Sequence, residues 1–89
     1  MATMFVRHTV ADYAAWRRIF DAFATTQAAM GVTGKAVYQA ADNANDITVT
    51  HEFATVEAAQ AFAGSPELKA AMHDAGVASA PTVWFTTQA

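Results

Sequence analysis

The 89-residue sequence contains no cysteine, which excludes disulfides, thiolate metal ligands and a cysteine nucleophile. That absence fits a reducing, cytoplasmic setting. Charge is scarce too: Asp, Glu, Lys and Arg make up 15% of the chain, with a net charge of −3. The five cations are scattered at Arg7, Arg17, Arg18, Lys35 and Lys69. They form no basic patch, so nucleic acid is not an expected partner. No apolar run approaches the ~20 residues that span a bilayer, so neither is a membrane. The segment Met1 to His8 lacks a basic region followed by an apolar stretch, and no signal peptide is expected. No glycine-rich phosphate loop is present, which argues against a nucleotide cofactor.

Apolar residues are abundant. They make up 54% of the sequence and aromatics 11%, with mean hydropathy +0.16. Residues 1–89 are expected to form one domain, too short for two cores. A chain of this size buries only roughly two-thirds of its unfolded surface. Surplus apolar surface in so small a domain predicts a homodimer.

Hydrophobic patterning predicts strand, helix, strand, strand, helix, strand. Met4 to Val10 alternates with period two. Tyr13, Trp16, Phe20, Phe23, Gln27 and Met30 recur at three- and four-residue steps, one aromatic stripe on a helix running from Tyr13 to Met30. Asp12 suits the positive end of that helix, and Arg17 with Asp21 can pair on its wet side. Gly31 and Gly34 supply the stop and the turn. Lys35 to Ala41 and Asp46 to Phe53 read as strands joined by an Asp/Asn-rich loop. Val56 to Ala75 reads as a helix capped by Thr55 and broken at Gly64-Ser65-Pro66, with Ser65 capping the second part. Thr82 to Thr87 is a last strand. The order βαββαβ requires each helix to cross over its sheet.

Strand parity divides the sheet into two faces. Val6, His8, Val10, Ile47, Val49, His51, Phe53, Val83 and Phe85 form the more apolar set, expected beneath the helices. Phe5, Arg7, Thr9, Thr48, Thr50, Glu52, Trp84 and Thr86 form the other. It is too aromatic for an ordinary wet surface, and Arg7 is expected to pair with Glu52 there, where two subunits meet.

With this order, the segment His8-Thr9-Val10-Ala11-Asp12-Tyr13, Trp16, Phe20-Asp21 and Ser65-Pro66-Glu67-Leu68, the chain resembles the dimeric α+β barrel superfamily. That ferredoxin-like group contains antibiotic-biosynthesis-type monooxygenases, small polyketide cyclases and lactone isomerases. The resemblance spans essentially the whole chain. It implies an α+β fold with a four-stranded antiparallel sheet, two helices on one face, and a second sheet closing a barrel in the dimer. It also implies a cleft between sheet and helices, and an oxygenase branch that works without metal or flavin. No cofactor and no metal are therefore expected. Phe62 and Leu68 stand where the plant cyclase branch carries a Tyr and a His. Val6 replaces the Asn of the haem-degrading branch, whose His ligand is matched only loosely by His73. One scaffold hosts unrelated chemistries, so fold alone does not give the reaction.

His8 and His51 are the sharpest catalytic candidates, since on neighbouring antiparallel strands they would share a face and could lie within a few ångströms. An imidazole in a pocket can take or give a proton. The bland alternative is two buried, neutral, hydrogen-bonded rings; a shared metal would want a third ligand. Trp16, Phe20, Phe23, Phe62, Met72 and Phe85 are the ligand-binding candidates, lining a cleft for a small apolar or aromatic molecule, although such a stripe is more often plain core. Tyr13 and Tyr38 offer hydroxyls near element boundaries, and His73 is expected to be exposed. The function read from the sequence is a small enzyme (monooxygenase, cyclase or isomerase) acting on a hydrophobic molecule, the alternative being a non-catalytic binding or assembly module.

Overall fold

The computed structural model describes residues 1–89. Four strands, β1 (Ala2–Thr9), β2 (Gly34–Ala40), β3 (Asn43–Phe53) and β4 (Thr82–Thr87), form one sheet in the order β2-β3-β1-β4. All neighbours are antiparallel. Four helical segments cover one face: α1 (Tyr13–Ala22), α2 (Ala24–Ala29), α3 (Val56–Ala63) and α4 (Pro66–Asp74). This is the expected ferredoxin-like βαββαβ arrangement, with each crossover helix divided in two.

Local chemistry sets the helix starts. The Asp12 carboxylate accepts from the Ala15 amide, Thr55 Oγ1 from Ala58, and Ser65 Oγ from Leu68. Pro66 occupies the first turn of α4, where a missing N–H costs nothing. The α3–α4 break falls at the Gly64-Ser65-Pro66 signal. The first crossover departs from expectation. In place of one helix from Tyr13 to Met30, the chain tightens at Phe23 (φ −81°, ψ −5°), whose amide donates to both Ile19 and Phe20 carbonyls. No glycine or proline marks this point. There Phe23 packs against Phe62, ring centroids 6.2 Å apart. Gly31 (φ +97°) ends the crossover in a conformation that favours glycine.

The Asp/Asn-rich loop is also shorter than expected. β3 begins at Asn43, so Asn43, Ala44 and Asn45 belong to the strand, leaving Ala41 and Asp42 as the turn. A register shift between Gln39 and Ala40 absorbs the change. Asn45 ties this end to the first crossover: its Oδ1 accepts from Tyr13 N, and its carbonyl from Val10 N.

The core forms two clusters beneath the helices. Trp16 and Phe20 of α1 pack on Ile47 and Val49, with Val10 and Ala75. Ala59 and Phe62 of α3 pack on Met4, Val6 and Phe53. Strand parity is as read from the sequence. The opposite face is uncovered: Phe5 stacks on Trp84 at 5.1 Å and 4°, and Trp84 is 40% exposed. Arg7 does not pair with Glu52. The register sets Glu52 opposite Thr3 and Arg7 opposite Thr48, so the two are four residues apart along β1. Arg7 instead makes a two-pronged contact with Asp46, at 2.7 and 3.1 Å. The bond from Arg7 holds the Asp46 carboxyl below its ordinary range.

Candidate functional site

Between the two core clusters lies a cavity of about 40 Å³. Its floor is the sheet, through Val6, His8, Val49 and His51. Trp16, Ile19, Phe20, Phe23 and Gln27 roof one side, and Leu68, Ala71, Met72 and Ala75 the other. The space suffices for about three water molecules, so a larger occupant enters only as side chains draw back. Met72 and Leu68 are the half-buried, flexible members of the wall.

His8 and His51 both line this cavity, 5% and 3% exposed. Their shared face is as expected, but their closeness is not. His51 pairs with Met4 and His8 with Ile47, leaving the Val6–Val49 row between them. The offset is four residues, about 13 Å along the strands. The gap is bridged by rings: His8 stands edge-on to Trp16 at 6.0 Å, Trp16 stacks on Phe20 at 5.0 Å, and Phe20 lies 6.4 Å from His51. The two histidines are thus opposite poles of one aromatic-roofed slot. They are too far apart to share a proton or an ion, and no cluster of three His, Asp or Glu groups surrounds either.

Both rings are held neutral. Burial, with the Lys35 charge adding to it, pushes His51 down to about 4. Burial also lowers His8, against a smaller opposing pull from Asp46. Neither nitrogen of His8, nor Nδ1 of His51, has a hydrogen-bond partner in the protein. Buried imidazole nitrogens are normally satisfied, so three orphaned ones at one cavity are an anomaly that a ligand or water would resolve.

Of the aromatic and Met candidates, Trp16, Phe20, Phe23 and Met72 line the cavity. Phe62 and Phe85 do not. Phe62 is fully buried against Phe53 and sits 5.2 Å from His51, supporting that ring from outside. Phe85 lies opposite Met4 and packs into the second core cluster. Tyr13 is half-buried, its hydroxyl accepting from Arg17; Tyr38 is 58% exposed on the opposite sheet face, and His73 is exposed.

Gln27 was visible only as a polar interruption in an apolar stripe, and its importance was missed. It is 1% exposed, lines the cavity, and has its Nε2 3.5 Å from His51 Nε2, a long contact. Lys35 was missed too. It lies opposite His51 in the β2–β3 register, and its Nζ donates to Gln27 Oε1 at 2.7 Å. The available signal was an inward-facing cation on the second strand.

This fold is shared with a known group. The model of the family described as antibiotic biosynthesis monooxygenase matches residues 1–74, and the chain belongs to that family. No curated protein sequence matches the chain. Among solved structures, a candidate antibiotic biosynthesis monooxygenase from Bordetella bronchiseptica superposes with TM-score 0.85 at 14% identity, covering 99% of this chain and 96% of its own. SnoaB, a cofactor-independent oxygenase from Streptomyces nogalater, superposes with TM-score 0.75 at 17% identity, covering 99% and 94%. At such identities the likeness is one of fold. No helix is long and apolar enough to cross a membrane.

Proposed function

We propose that the chain binds a small, planar, hydrophobic molecule in the sheet–helix cavity and oxidises it with dioxygen, without metal or flavin. The observation that carries this reading is the pair of buried neutral imidazoles, with orphaned nitrogens, at the poles of an aromatic-roofed slot. An electron-rich phenol suits such a slot. Its rings would lie against Trp16 and Phe20 while its oxygens meet the histidines. His8, with one ring nitrogen free to accept and one to donate, would take the hydroxyl proton. The resulting phenolate supplies the electrons: one oxygen atom enters the ring, the other leaves as water, and the phenol becomes a quinone. His51 is the poorer base, because its protonated form is strongly disfavoured. Its role is to donate a hydrogen bond to oxygen that gains charge. The family and the SnoaB-like fold support the same chemistry.

Two copies are proposed to meet through the uncovered sheet face, where stacked Phe5 and Trp84 lie beside the Arg7–Asp46 pair. Trp84→Arg should convert a dimer to a monomer by sedimentation velocity. A wild-type monomer at micromolar concentration would exclude the dimer.

Dioxygen uptake with 1-naphthol tests the chemistry. Stoichiometric naphthoquinone, lost in His8→Phe, supports the oxygenase. A second reading is binding without turnover, since the cavity wall alone supplies an apolar slot. Saturable naphthol binding with no dioxygen uptake would select that module instead, and no binding at all would exclude both.

A further inference from the structure

Gln27 has no role in the chemistry above, yet it is among the most buried side chains of the molecule. A buried amide in an apolar stripe needs a partner for each end. At one end, Lys35 Nζ lies 2.7 Å from Oε1. An ammonium carries donors only, so this contact fixes the amide with its oxygen toward Lys35. The NH₂ group must then face His51, 3.5 Å from its Nε2. A neutral imidazole has one N–H and one bare nitrogen, and an N–H facing an NH₂ group is repelled. The bare nitrogen of His51 is therefore Nε2, and the proton sits on Nδ1. Free histidine favours the opposite tautomer, so the protein must impose this one.

The register makes the arrangement possible. Lys35 and His51 are directly opposed on β2 and β3, and α2 lays Gln27 across the pair. Lys35 is further held over the Phe20 ring, 5.1 Å from its centroid. Nδ1 of His51 is buried and has no acceptor in the protein.

We propose that Gln27, oriented by Lys35, is a positioning residue that holds His51 as its Nδ1–H tautomer, so that the His51 end of the cavity selects a ligand oxygen able to accept, a carbonyl or phenolate rather than a protonated donor. The proposal rests on the cavity being a ligand site as read above, but its first half is testable without any ligand. A donor-only ligand group meeting this N–H leaves both unsatisfied, whereas an acceptor satisfies it. Selection against the wrong partner is then larger than the gain from the right one.

Nitrogen-15 shifts of the ring in histidine-labelled protein report the tautomer. In the wild type at pH 7, His51 should show a protonated Nδ1 and a bare Nε2. Lys35→Met frees the amide to rotate and alters an exposed side chain, so folding should survive. It should move His51 toward the Nε2–H form, Gln27→Leu should do the same, and Lys35→Arg should keep the wild-type pattern. A wild-type Nε2–H ring, or a tautomer indifferent to both Lys35→Met and Gln27→Leu, would overturn the proposal. Acetophenone and its isostere α-methylstyrene then test the selection by chemical-shift titration. Wild type should prefer the ketone about tenfold, and Lys35→Met should lose most of that preference. Equal affinities with the tautomer as stated would overturn the selection; binding of neither probe, with that tautomer, would strike at the ligand site and leave the positioning role supported.

Discussion

His8 and His51 face one cavity from rows of the sheet four residues apart, with Val6 and Val49 filling the row between. Each ring is thus stripped of water separately, and each resists protonation on its own account.

Stability should therefore depend on pH. The folded His51 titrates near 4, against 6.5 in the unfolded chain. Between those values the unfolded state binds a proton that the native state refuses, so stability falls as pH drops from 6.5 to 4. For His51 this corresponds to about 3 kcal/mol, complete below pH 4. His8 acts in the same direction. Urea unfolding across pH 4–7 measures the slope, and His51→Gln should flatten it. A wild-type profile level across that window would contradict the neutral, buried assignment.

Ser65 joins α3 to α4 through one hydroxyl, which donates to the Phe62 carbonyl at 2.7 Å and accepts from the Leu68 amide at 3.2 Å. Ser65→Ala removes both bonds at a buried site, and should cost about 1–2 kcal/mol in chemical denaturation. Amide exchange should accelerate chiefly in the first turn of α4, loosening the Leu68–Met72 wall.

Shortening Met72 should enlarge the cavity at its most pliable side. Met72→Ala is expected to cost about 1–2 kcal/mol, less than for a fully buried methionine, because Met72 is only half-buried. Affinity for naphthalene, followed by tryptophan fluorescence, should rise at the same time. Weaker naphthalene binding would mean that Met72 grips the ligand rather than blocking it.

The Arg7–Asp46 pair is well formed but open to water, with Arg7 side-chain exposure of 59%. In the isolated subunit a double-mutant cycle should give only a small coupling, because water screens the pair. If this face is covered in a dimer, the same cycle on the dimer should return a larger coupling, since desolvation strengthens such pairs. Comparing the cycle in wild type and in Trp84→Arg separates the two.

Much of the architecture was legible in the sequence because it depends on local chemistry. Period-two runs gave the strands, and Asp12, Thr55 and Ser65 gave the helix starts. The break at Phe23 was not legible, since neither glycine nor proline stands there. The early start of β3 was hidden because Asn43 and Asn45 look like turn residues, yet pairing with Ala40 and bonding to Val10 and Tyr13 hold them extended. At the site, the aromatic stripe announced Trp16, Phe20 and Phe23. Gln27 and Lys35 showed only as a polar interruption in that stripe and a cation on an inward-facing strand position, because their significance lies in each other.

The amino-acid order alone determined the succession of elements and which side chains share a face, since both follow from periodicity within a single segment. It could not determine register, which depends on how distant segments slide against one another and is decided by packing across the whole sheet. That sliding separated His8 from His51, exchanged Glu52 for Asp46 as the partner of Arg7, and set Lys35 against His51. The residues were all in view beforehand; their neighbours were chosen by the tertiary structure.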